Sequence, residues 1–342
     1  MLMFKRILSC MAAAMLTIGI NAQEAGAVYG MNNGSKVRLT RQVEKKVLIE
    51  EFTSMGCSNC PRGFIGLEKA VQIYGDKVIP VAVHYNDRLK CAKYINQINK
   101  VSGFPKAHAD RFVKAVDPWY GSSYDGNFGF GKDLEAAFGE TPVAEVMAGG
   151  TVEGDILTLK ADVKFLFSGD ADYSLAFVVT EDGMMHDKWT QRNGLVGSYS
   201  YDPLFDKWIY GTDPMHDISF DHVAITAIGI DEGIEGSIPS SVVEEENIAY
   251  ETTYDLSSST KIIDRNNLNV IALVFDNATG CVVNCDIIPM SEILAVEGVE
   301  ADGENVRETA RYTVDGTMIA APQKGINIIK MSDGTSKKVI VK

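Results

Sequence analysis

The sequence predicts an α/β domain followed by an all-β region and a small C-terminal β-module. Strand and helix patterns alternate over residues 46–140, whereas about seven strand patterns follow one another over 143–292. Three short apolar runs separated by turn residues close the chain over 306–342. We therefore expect an antiparallel, immunoglobulin-like β-sandwich behind the α/β domain.

The composition is typical of a folded protein that repels polyanions. The chain has 342 residues, of which 46% are hydrophobic and 23% charged, and its formal net charge is −14. This length and composition favour two compact domains with buried cores. A negative field disfavours phosphate backbones, so we expect no nucleic-acid partner.

Residues 1–22 resemble a secretory signal peptide. Lys5 and Arg6 precede an apolar run from Ile7 to Ile20, which is shorter than the roughly 20 residues of a membrane-spanning helix. No later segment is long and uncharged enough to span a bilayer, so we expect no transmembrane segment in the mature chain. Residues 23–45 show no clean period and predict a linker or an edge strand.

The α/β pattern begins at residue 46 with a strand over Val47–Phe52, which ends at the turn Ser54–Gly56. Apolar residues then recur at helical spacing over Pro61–Tyr74. A continuous apolar run over Val78–Tyr85 predicts a strand buried on both faces, as parallel strands are. Lys90–Lys100 predicts a second helix.

The β pattern follows a short helical stretch over Lys132–Phe138 and a boundary at Thr141-Pro142. Residues 182–220, rich in Met, Trp, Tyr, Asp and Gly, are too long for a plain connection and predict either a binding loop or an elaborated hairpin. The predicted strands are Val143–Ala148, Ile156–Leu166, Tyr173–Thr180, His222–Ile230, Ile248–Leu256, Leu268–Asp276 and Cys281–Ile288.

Cys57 and Cys60 form a C-x-x-C motif between a buried strand and the helix that begins at Pro61. The positive end of a helix dipole and its free N–H groups lower the pKa of a nearby thiol from about 8.5 toward roughly 3.5–7.5. Cys57 is therefore expected to be a thiolate near neutral pH and to attack disulfides. Cys60 would resolve the mixed disulfide, and Pro61 costs no hydrogen bond at the first helical position.

Glu50 and Glu51 lie on the strand that leads to the dithiol. In a central strand one of them must point into an apolar interior, where desolvation raises the pKa of a carboxyl and makes it a proton acceptor. We assign this role to Glu51. The alternative is that both glutamates reach water or Lys46 at a sheet edge.

The order strand, C-x-x-C, helix, strand, helix and X-Pro resembles the thioredoxin-like pattern, with Phe104-Pro105 in the place of the cis-proline that faces the redox pair. More closely, the chain is similar to the Bacteroidetes outer-membrane protein family called Omp twenty-eight over Val47–Ile288, in VLIEEFTSMGCSNCPRG, VAVHYND and GFPKAHADR. The resemblance implies that Glu51 assists proton transfer and that Pro105 shapes the substrate groove. Ser58-Asn59 replaces the Gly-Pro of the reducing enzymes, and Gly56 replaces their usual aromatic residue, so the resemblance does not fix the redox potential.

The C-terminal segment GINIIKMSDGTSKKVIVK is similar to the sorting domains of type IX secretion in the same bacteria. This resemblance implies passage across the outer membrane to the cell surface or the medium, contact with the secretion machinery, and cleavage of the segment in some cases. Residence in the periplasm is the other exported location. The alternative is that residues 306–342 only extend the sandwich.

The other cysteines do not suggest a metal site. Six cysteines occur, one of them in the predicted signal peptide, so at least one mature cysteine is unpaired. Cys281 and Cys285 lie roughly 13 Å apart on one strand, too far for a disulfide, and with Val283 and Ile287 they are expected to form one buried apolar face. Cys91 is a spare thiol. We expect no cofactor and no metal, because zinc would need a second C-x-x-C.

The sequence thus predicts an exported thiol–disulfide oxidoreductase that acts on protein thiols or disulfides through Cys57, Cys60, Glu51 and Pro105. The alternative is a cell-surface binding or structural protein in which a permanent Cys57–Cys60 disulfide stabilises the fold and residues 182–220 bind the partner.

Overall fold

The computed structural model describes residues 28–32, 34–124, 127–294, 308–313, 317–319, 321–331 and 336–341. Two compact units divide the chain, Met1–Ser291 and Glu292–Lys342. The signal peptide predicted over residues 1–22 lies outside the described residues and stays a prediction. Among the described residues, no helix has the length and apolar character needed to cross a bilayer.

Strands predominate over helices in the described residues. The α-helices are α1 Pro61–Tyr74, α2 Ile95–Ile98, α3 Phe130–Phe138 and α4 Asp206–Ile209. The strands are β1 Val28–Asn32, β2 Ser35–Leu39, β3 Val47–Thr53, β4 Val78–His84, β5 Lys106–Ala109, β6 Val113–Val116, β7 Ala144–Glu153, β8 Ile156–Phe165, β9 Gly169–Asp170, β10 Tyr173–Glu181, β11 Val223–Ile228, β12 Ser241–Val242, β13 Asn247–Asp255, β14 Leu268–Asp276, β15 Cys281–Pro289, β16 Glu308–Thr313, β17 Gly325–Met331 and β18 Ser336–Val341.

An eight-stranded mixed sheet forms the centre of the first unit, in the order β15-β14-β10-β11-β4-β3-β5-β6. β3 and β4 are parallel neighbours, in register from Val47 opposite Val78 to Thr53 opposite His84. All seven residues of each strand are buried, as the continuous apolar run of β4 predicts. β3 is an inner strand, so both of its faces are covered.

Helix α1 covers one face of this sheet. Pro61 occupies its first turn, where the missing N–H costs no intrahelical bond. Leu67 and Ala70 pack into a core cluster with Val47 and Ile49 of β3. The helix has the predicted bounds because its apolar spacing and its proline start are local features of the sequence.

The predicted β region does not form a sheet system separate from the α/β part. β10, β11, β14 and β15 extend the sheet that contains β3 and β4, whereas residues 46–140 and 143–292 were predicted as two domains. A second sheet, β13-β8-β7, packs over the β14–β15 end. The alternating burial of β8 matches this one-sided packing. Periodicity shows that a segment is a strand, but the partner strand depends on long-range packing.

Several local predictions differ from the structure. The helix predicted over Lys90–Lys100 is a 3₁₀ turn over Ala92–Tyr94 continued by α2. The short strands β5 and β6 had no periodic signal. Residues 23–45, predicted as a linker or an edge strand, contain the antiparallel hairpin β1–β2. For residues 182–220 the structure agrees with one of the two predicted alternatives, the elaborated hairpin, with isolated bridges between Met184 and Phe220 and between Gln191 and Met215.

The second unit contains the antiparallel sheet β16-β17-β18. Its registers pair Thr313 with Asn327 and Ile326 with Ile340. This agrees with the prediction of three short strands over residues 306–342. The turn residues that separate the three apolar runs include Asp315-Gly316 and Asp333-Gly334, which lie outside the described residues.

Candidate functional site: a disulfide at the start of helix α1

Cys57 and Cys60 form a disulfide, with their Cα atoms 5.3 Å apart. Cys60 is the N-cap residue of α1, and its N–H donates to the Cys57 carbonyl oxygen at 3.3 Å. Cys60 is fully buried, whereas Cys57 is only half-buried. The strand–turn–helix arrangement predicted for the dithiol is therefore present, and the more N-terminal sulfur belongs to the more accessible residue.

Glu51 lies beneath the first turn of α1. Gly63 belongs to this turn, and a Cβ atom placed on it would overlap the Glu51 Oε1 atom and lie 3.2 Å from the Pro105 Cβ atom. The dithiol helix, the Glu51 carboxyl and Pro105 therefore converge at Gly63. The Phe104–Pro105 peptide bond is cis. A glycine inside a helical pattern was the signal that could have identified this close approach.

The Glu51 carboxyl is buried without a hydrogen bond to any described residue in good geometry. Burial raises the pKa of Glu51 well above its ordinary value. The nearby Thr53 hydroxyl partly lowers the pKa, and the Asp117 charge raises it further. A carboxyl in this state holds its proton at a pH where an exposed glutamate has lost it.

Glu50 faces a different environment, although it is the preceding residue of the same strand. Its carboxylate accepts two hydrogen bonds from the Arg111 guanidinium, at 2.8 and 2.7 Å, and both residues are buried. Burial alone raises the pKa of Glu50, but the charge and hydrogen bonds of Arg111 outweigh it and hold the pKa well below the ordinary value. Lys46, the alternative partner, pairs instead with Asp286 at 2.6 Å. Since β3 is an inner strand, neither glutamate lies at a sheet edge.

Residues 182–220, which we call the clamp segment, are fastened to the turn that carries the disulfide. The Arg192 N–H donates to the Met55 carbonyl oxygen at 2.9 Å, and the Gly194 N–H donates to the Ser58 carbonyl oxygen at 2.7 Å. The buried Gln191 side-chain amide donates to the Cys57 carbonyl oxygen at 2.9 Å. The clamp segment therefore fixes the backbone on both sides of Cys57.

Aromatic packing joins the clamp segment to helix α1. The Phe64 ring of α1 lies 5.9 Å from the rings of both Trp208 and Phe220. His84, at the end of β4, contacts the same cluster, with its ring 5.6 Å from that of Phe220. The clamp segment and the dithiol helix therefore pack as one body. No sequence signal linked these residues, because they are far apart along the chain.

Asp87 supports the turn from the opposite side. Its carboxylate accepts hydrogen bonds from the Met55 N–H at 2.8 Å and from the Leu89 N–H at 2.8 Å, and it contacts His84 Nδ1 at 2.9 Å. Burial opposes the charged form, but the His84 interaction and the backbone donors together lower the pKa of Asp87. A charged Asp87 thus anchors the turn that precedes Cys57.

The remaining described cysteines, Cys91, Cys281 and Cys285, lie outside the Cys57–Cys60 disulfide. Cys91 and Cys285 are buried, and burial raises the pKa of each. The predicted buried face of Cys281, Val283, Cys285 and Ile287 is corrected in part: Cys281 and Val283 are only partly buried, whereas Cys285 lies in a core cluster and Ile287 packs against it. A register shift at Val283 changes the alternation, so Val282 and Cys285 face the core instead. Among the described residues, no cluster of His, Cys, Asp and Glu could hold a metal ion.

Comparisons with known proteins add little to this geometry. No protein-family model and no curated protein matches the chain, so the resemblance to Omp twenty-eight stays a prediction. A solved structure of HBP35 of Porphyromonas gingivalis is similar at 16% identity and a TM-score of 0.49, over 88% of this chain and 100% of that one. An X-ray structure of a protein from Agrobacterium tumefaciens is similar at 16% identity and a TM-score of 0.38, over 74% and 97%.

Proposed function

We propose that the protein catalyses thiol–disulfide exchange on polypeptides outside the cytoplasm. The observation that carries the proposal is the asymmetric disulfide at the start of α1, with an accessible Cys57, a buried Cys60 and a buried carboxyl beneath. A half-buried cysteine beside a fully buried one favours attack at a single position.

The exchange balances without a further reagent. A substrate thiolate attacks the Cys57 Sγ atom, so that a substrate–Cys57 disulfide forms and the Cys57–Cys60 bond breaks. The electron pair leaves on the Cys60 sulfur, which takes up a proton. A second substrate thiolate then attacks the mixed disulfide, which gives an oxidised substrate and a reduced Cys57. The reverse sequence reduces a substrate disulfide.

Glu51 is the proton source for Cys60 in this proposal. A buried thiolate is costly, because desolvation disfavours the charged form. Burial favours the protonated form of the Glu51 carboxyl for the same reason, because it raises the pKa of this group. The carboxyl lies against Gly63, one helical turn beyond Cys60, and in this proposal the proton passes from it to the sulfur directly or through one water. In the reverse direction it accepts the proton.

We further propose that residues 46–140 form a thioredoxin-like domain. The order β3, dithiol turn, α1 and parallel β4 supports a thioredoxin-like arrangement within residues 46–140. Pro105 then borders the substrate groove, as its closeness to Gly63 supports. The packing of β7 on β14 and β15 supports a two-layered β arrangement for residues 143–292, one layer of which continues into the sheet of β3 and β4.

Insulin reduction by dithiothreitol tests the activity. Cys57→Ser should abolish the catalysed turnover, and Cys60→Ser should accumulate a mixed disulfide with the substrate that mass spectrometry detects. Cys281→Ser is the matched control, since this thiol lies outside the site, and it should leave turnover unchanged. Unchanged turnover in Cys57→Ser would defeat the proposal.

A structural disulfide is the second candidate function. The clamp segment holds the Met55, Cys57 and Ser58 carbonyls, and Cys60 is buried, which favours a disulfide protected from reduction. The midpoint potential in dithiol buffers separates the two functions. Exchange enzymes lie between about −270 and −120 mV, whereas structural disulfides lie below about −300 mV. A value in the lower range would favour the structural function.

We also propose that the protein is exported, and that residues 306–342 direct it to the outer surface or the medium. The apolar run after Lys5 and Arg6 supports export, and the strands β16–β18 suit a compact sorting module. Cell fractionation of the full chain and of a chain ending at residue 305 tests this. Retention of only the shortened chain in the periplasm is the expected result, and identical location of both chains would contradict it.

A further inference from the structure

Three tyrosines of the clamp segment form an exposed aromatic surface. Tyr199, Tyr201 and Tyr210 are 75%, 91% and 83% exposed. The Tyr199 and Tyr201 rings meet edge to face with centroids 4.8 Å apart. A hydrogen bond of 3.0 Å from the Gly197 N–H to the Ile209 carbonyl oxygen joins the two stretches that carry the tyrosines. We call these three residues the tyrosine surface.

Two anchors bind the tyrosine surface to the flank of the dithiol helix. Gly194, which precedes the surface, donates to the Ser58 carbonyl oxygen inside the C-x-x-C turn. Asp202, which follows Tyr201, forms an ion pair with Lys69 of α1 at 2.7 Å. Lys69 lies nine residues past Cys60, which corresponds to roughly 14 Å along a helix. An extended peptide of about four residues spans that distance.

The chemistry of this surface suits a polypeptide. Tyrosine rings offer large apolar contact area with few rotatable bonds, and exposed aromatic clusters mark interaction sites. The clamp segment contains six aspartates against three lysines or arginines, and the whole chain has a net charge of −14. An acidic partner is therefore repelled and a basic one is attracted, whereas a neutral partner is neither.

We infer that the tyrosine surface binds a stretch of substrate polypeptide that carries apolar and basic side chains about four residues from the exchanging cysteine. This inference rests on the proposed exchange at Cys57 and specifies the substrate class. Small disulfides do not reach the surface, so only polypeptide substrates gain from it.

The test uses the variant Tyr199→Ser/Tyr201→Ser/Tyr210→Ser. Its exposed positions leave the core intact, and circular dichroism and the urea midpoint verify its fold. The substrates are a peptide disulfide flanked by Leu, Phe and Lys, a second flanked by Gly, Ser and Asp, and glutathione disulfide. We expect the variant to raise KM about tenfold or more for the first peptide, with little effect on kcat and none on glutathione disulfide.

A matched control replaces three exposed apolar residues elsewhere, Met147, Val243 and Ile263, with serine. This control should behave as the wild type with every substrate. Equal losses of the tyrosine variant on peptide and glutathione disulfide, or an unchanged KM for the first peptide, would overturn the inference. So would unchanged KM together with weaker association to neutral phosphatidylcholine vesicles, which would indicate a membrane surface instead.

A binding measurement separates this inference from the proposed exchange. Fluorescence anisotropy follows a labelled, cysteine-free peptide of Leu, Phe and Lys on the oxidised protein. We expect about tenfold weaker binding by the tyrosine variant. If wild type turns over no disulfide but binds the peptide through the tyrosines, the exchange proposal fails and the docking surface stands. If wild type and variant bind equally, the docking surface fails whatever the activity.

Discussion

Replacing Glu51 with glutamine should stabilise the protein increasingly as the pH rises, whereas replacing Glu50 should destabilise it. The two residues are neighbours on β3 and both are fully buried. The pKa of Glu51 is raised well above its ordinary value, mainly by burial, and the pKa of Glu50 is lowered through Arg111. Because the two pKa values shift in opposite directions, the two substitutions should change the free energy of unfolding in opposite directions.

The size of the Glu51 effect follows from proton linkage. The unfolded chain releases the Glu51 proton near pH 4.3, about the ordinary value, whereas the folded chain holds it to a higher pH. Between these two pKa values the folded state binds one more proton, so rising pH weakens the wild type by about 1.4 kcal/mol per pH unit. Glu51→Gln lacks this titration. The free energy of unfolding of Glu51→Gln relative to the wild type should therefore increase with that slope as the pH rises. It should level off above the pKa of Glu51 in the folded state.

Glu50→Gln supplies the matched control. The folded pKa of Glu50 is depressed, so its contribution to stability is present above the unfolded pKa and is lost as the pH falls. Removing its charge leaves the Arg111 guanidinium buried without its ion-pair partner. Such a loss costs about 3–5 kcal/mol. We expect this destabilisation near neutral pH, and a smaller one at pH 4.

Urea unfolding of the oxidised proteins, followed by tryptophan fluorescence from pH 4 to 9, measures both effects. The pH dependence of the stability difference is the decisive quantity, because its pH-independent part also includes the cost of burying the new amide of Glu51→Gln. A difference between wild type and Glu51→Gln that stays constant from pH 4 to 9 would refute the assignment of a raised Glu51 pKa.

Three further predictions concern the surroundings of the site. Gly63→Ala should lower the free energy of unfolding by about 1–3 kcal/mol, because its Cβ overlaps the Glu51 carboxyl; urea unfolding measures it. Gln191→Ala removes donors from the disulfide turn and should speed hydrogen exchange of the turn amides about tenfold or more. Cys91 and Cys285 should react with an aromatic disulfide reagent about tenfold or more slowly in the native protein than in urea, because burial raises the pKa of each thiol.

Each of these has a control. Gly149→Ala adds a methyl group at ordinary contact distance in β7 and should be nearly neutral, so an equal loss there would remove the steric explanation. Gln97 is also a buried glutamine, and its side chain donates a hydrogen bond to Asp231. Gln97→Ala should leave hydrogen exchange of the turn amides unchanged; a similar acceleration there would show that the Gln191 effect is not local. Fast native labelling of more than one thiol would contradict the third prediction.

The sequence predicted the elements around the dithiol well, because their signals are local. The bounds of α1 and β14 agree with the predicted ones, and β3 and β4 differ by one residue at one end. β5 and β6 were not predicted because each has only four residues. Positive φ angles at Asp110 and Arg111 also interrupt the extended backbone conformation between them. So short an interval carries no readable period.

The candidate site was predictable only in part. Cys57, Cys60 and Glu51 were predicted from the motif and the strand before it, and Pro105 from the thioredoxin-like resemblance; the structure brings Glu51 and Pro105 together at Gly63. Gln191 was not identified, because it lies 134 residues from Cys57 and its hydrogen bond depends on how the clamp segment folds back. Whether residues 182–220 form a binding loop or a hairpin was equally beyond the sequence.

The sequence by itself determined that a dithiol starts a helix after a buried strand, because a proline start, apolar spacing and two cysteines three positions apart are all features of neighbouring residues. The tertiary structure alone decided that Glu50 meets Arg111 while Glu51 meets no hydrogen-bonding partner among the described residues. It also decided that strands from both halves of the chain share one sheet. Burial and partner charges depend on residues distant in the chain, and these set the chemistry of each carboxyl.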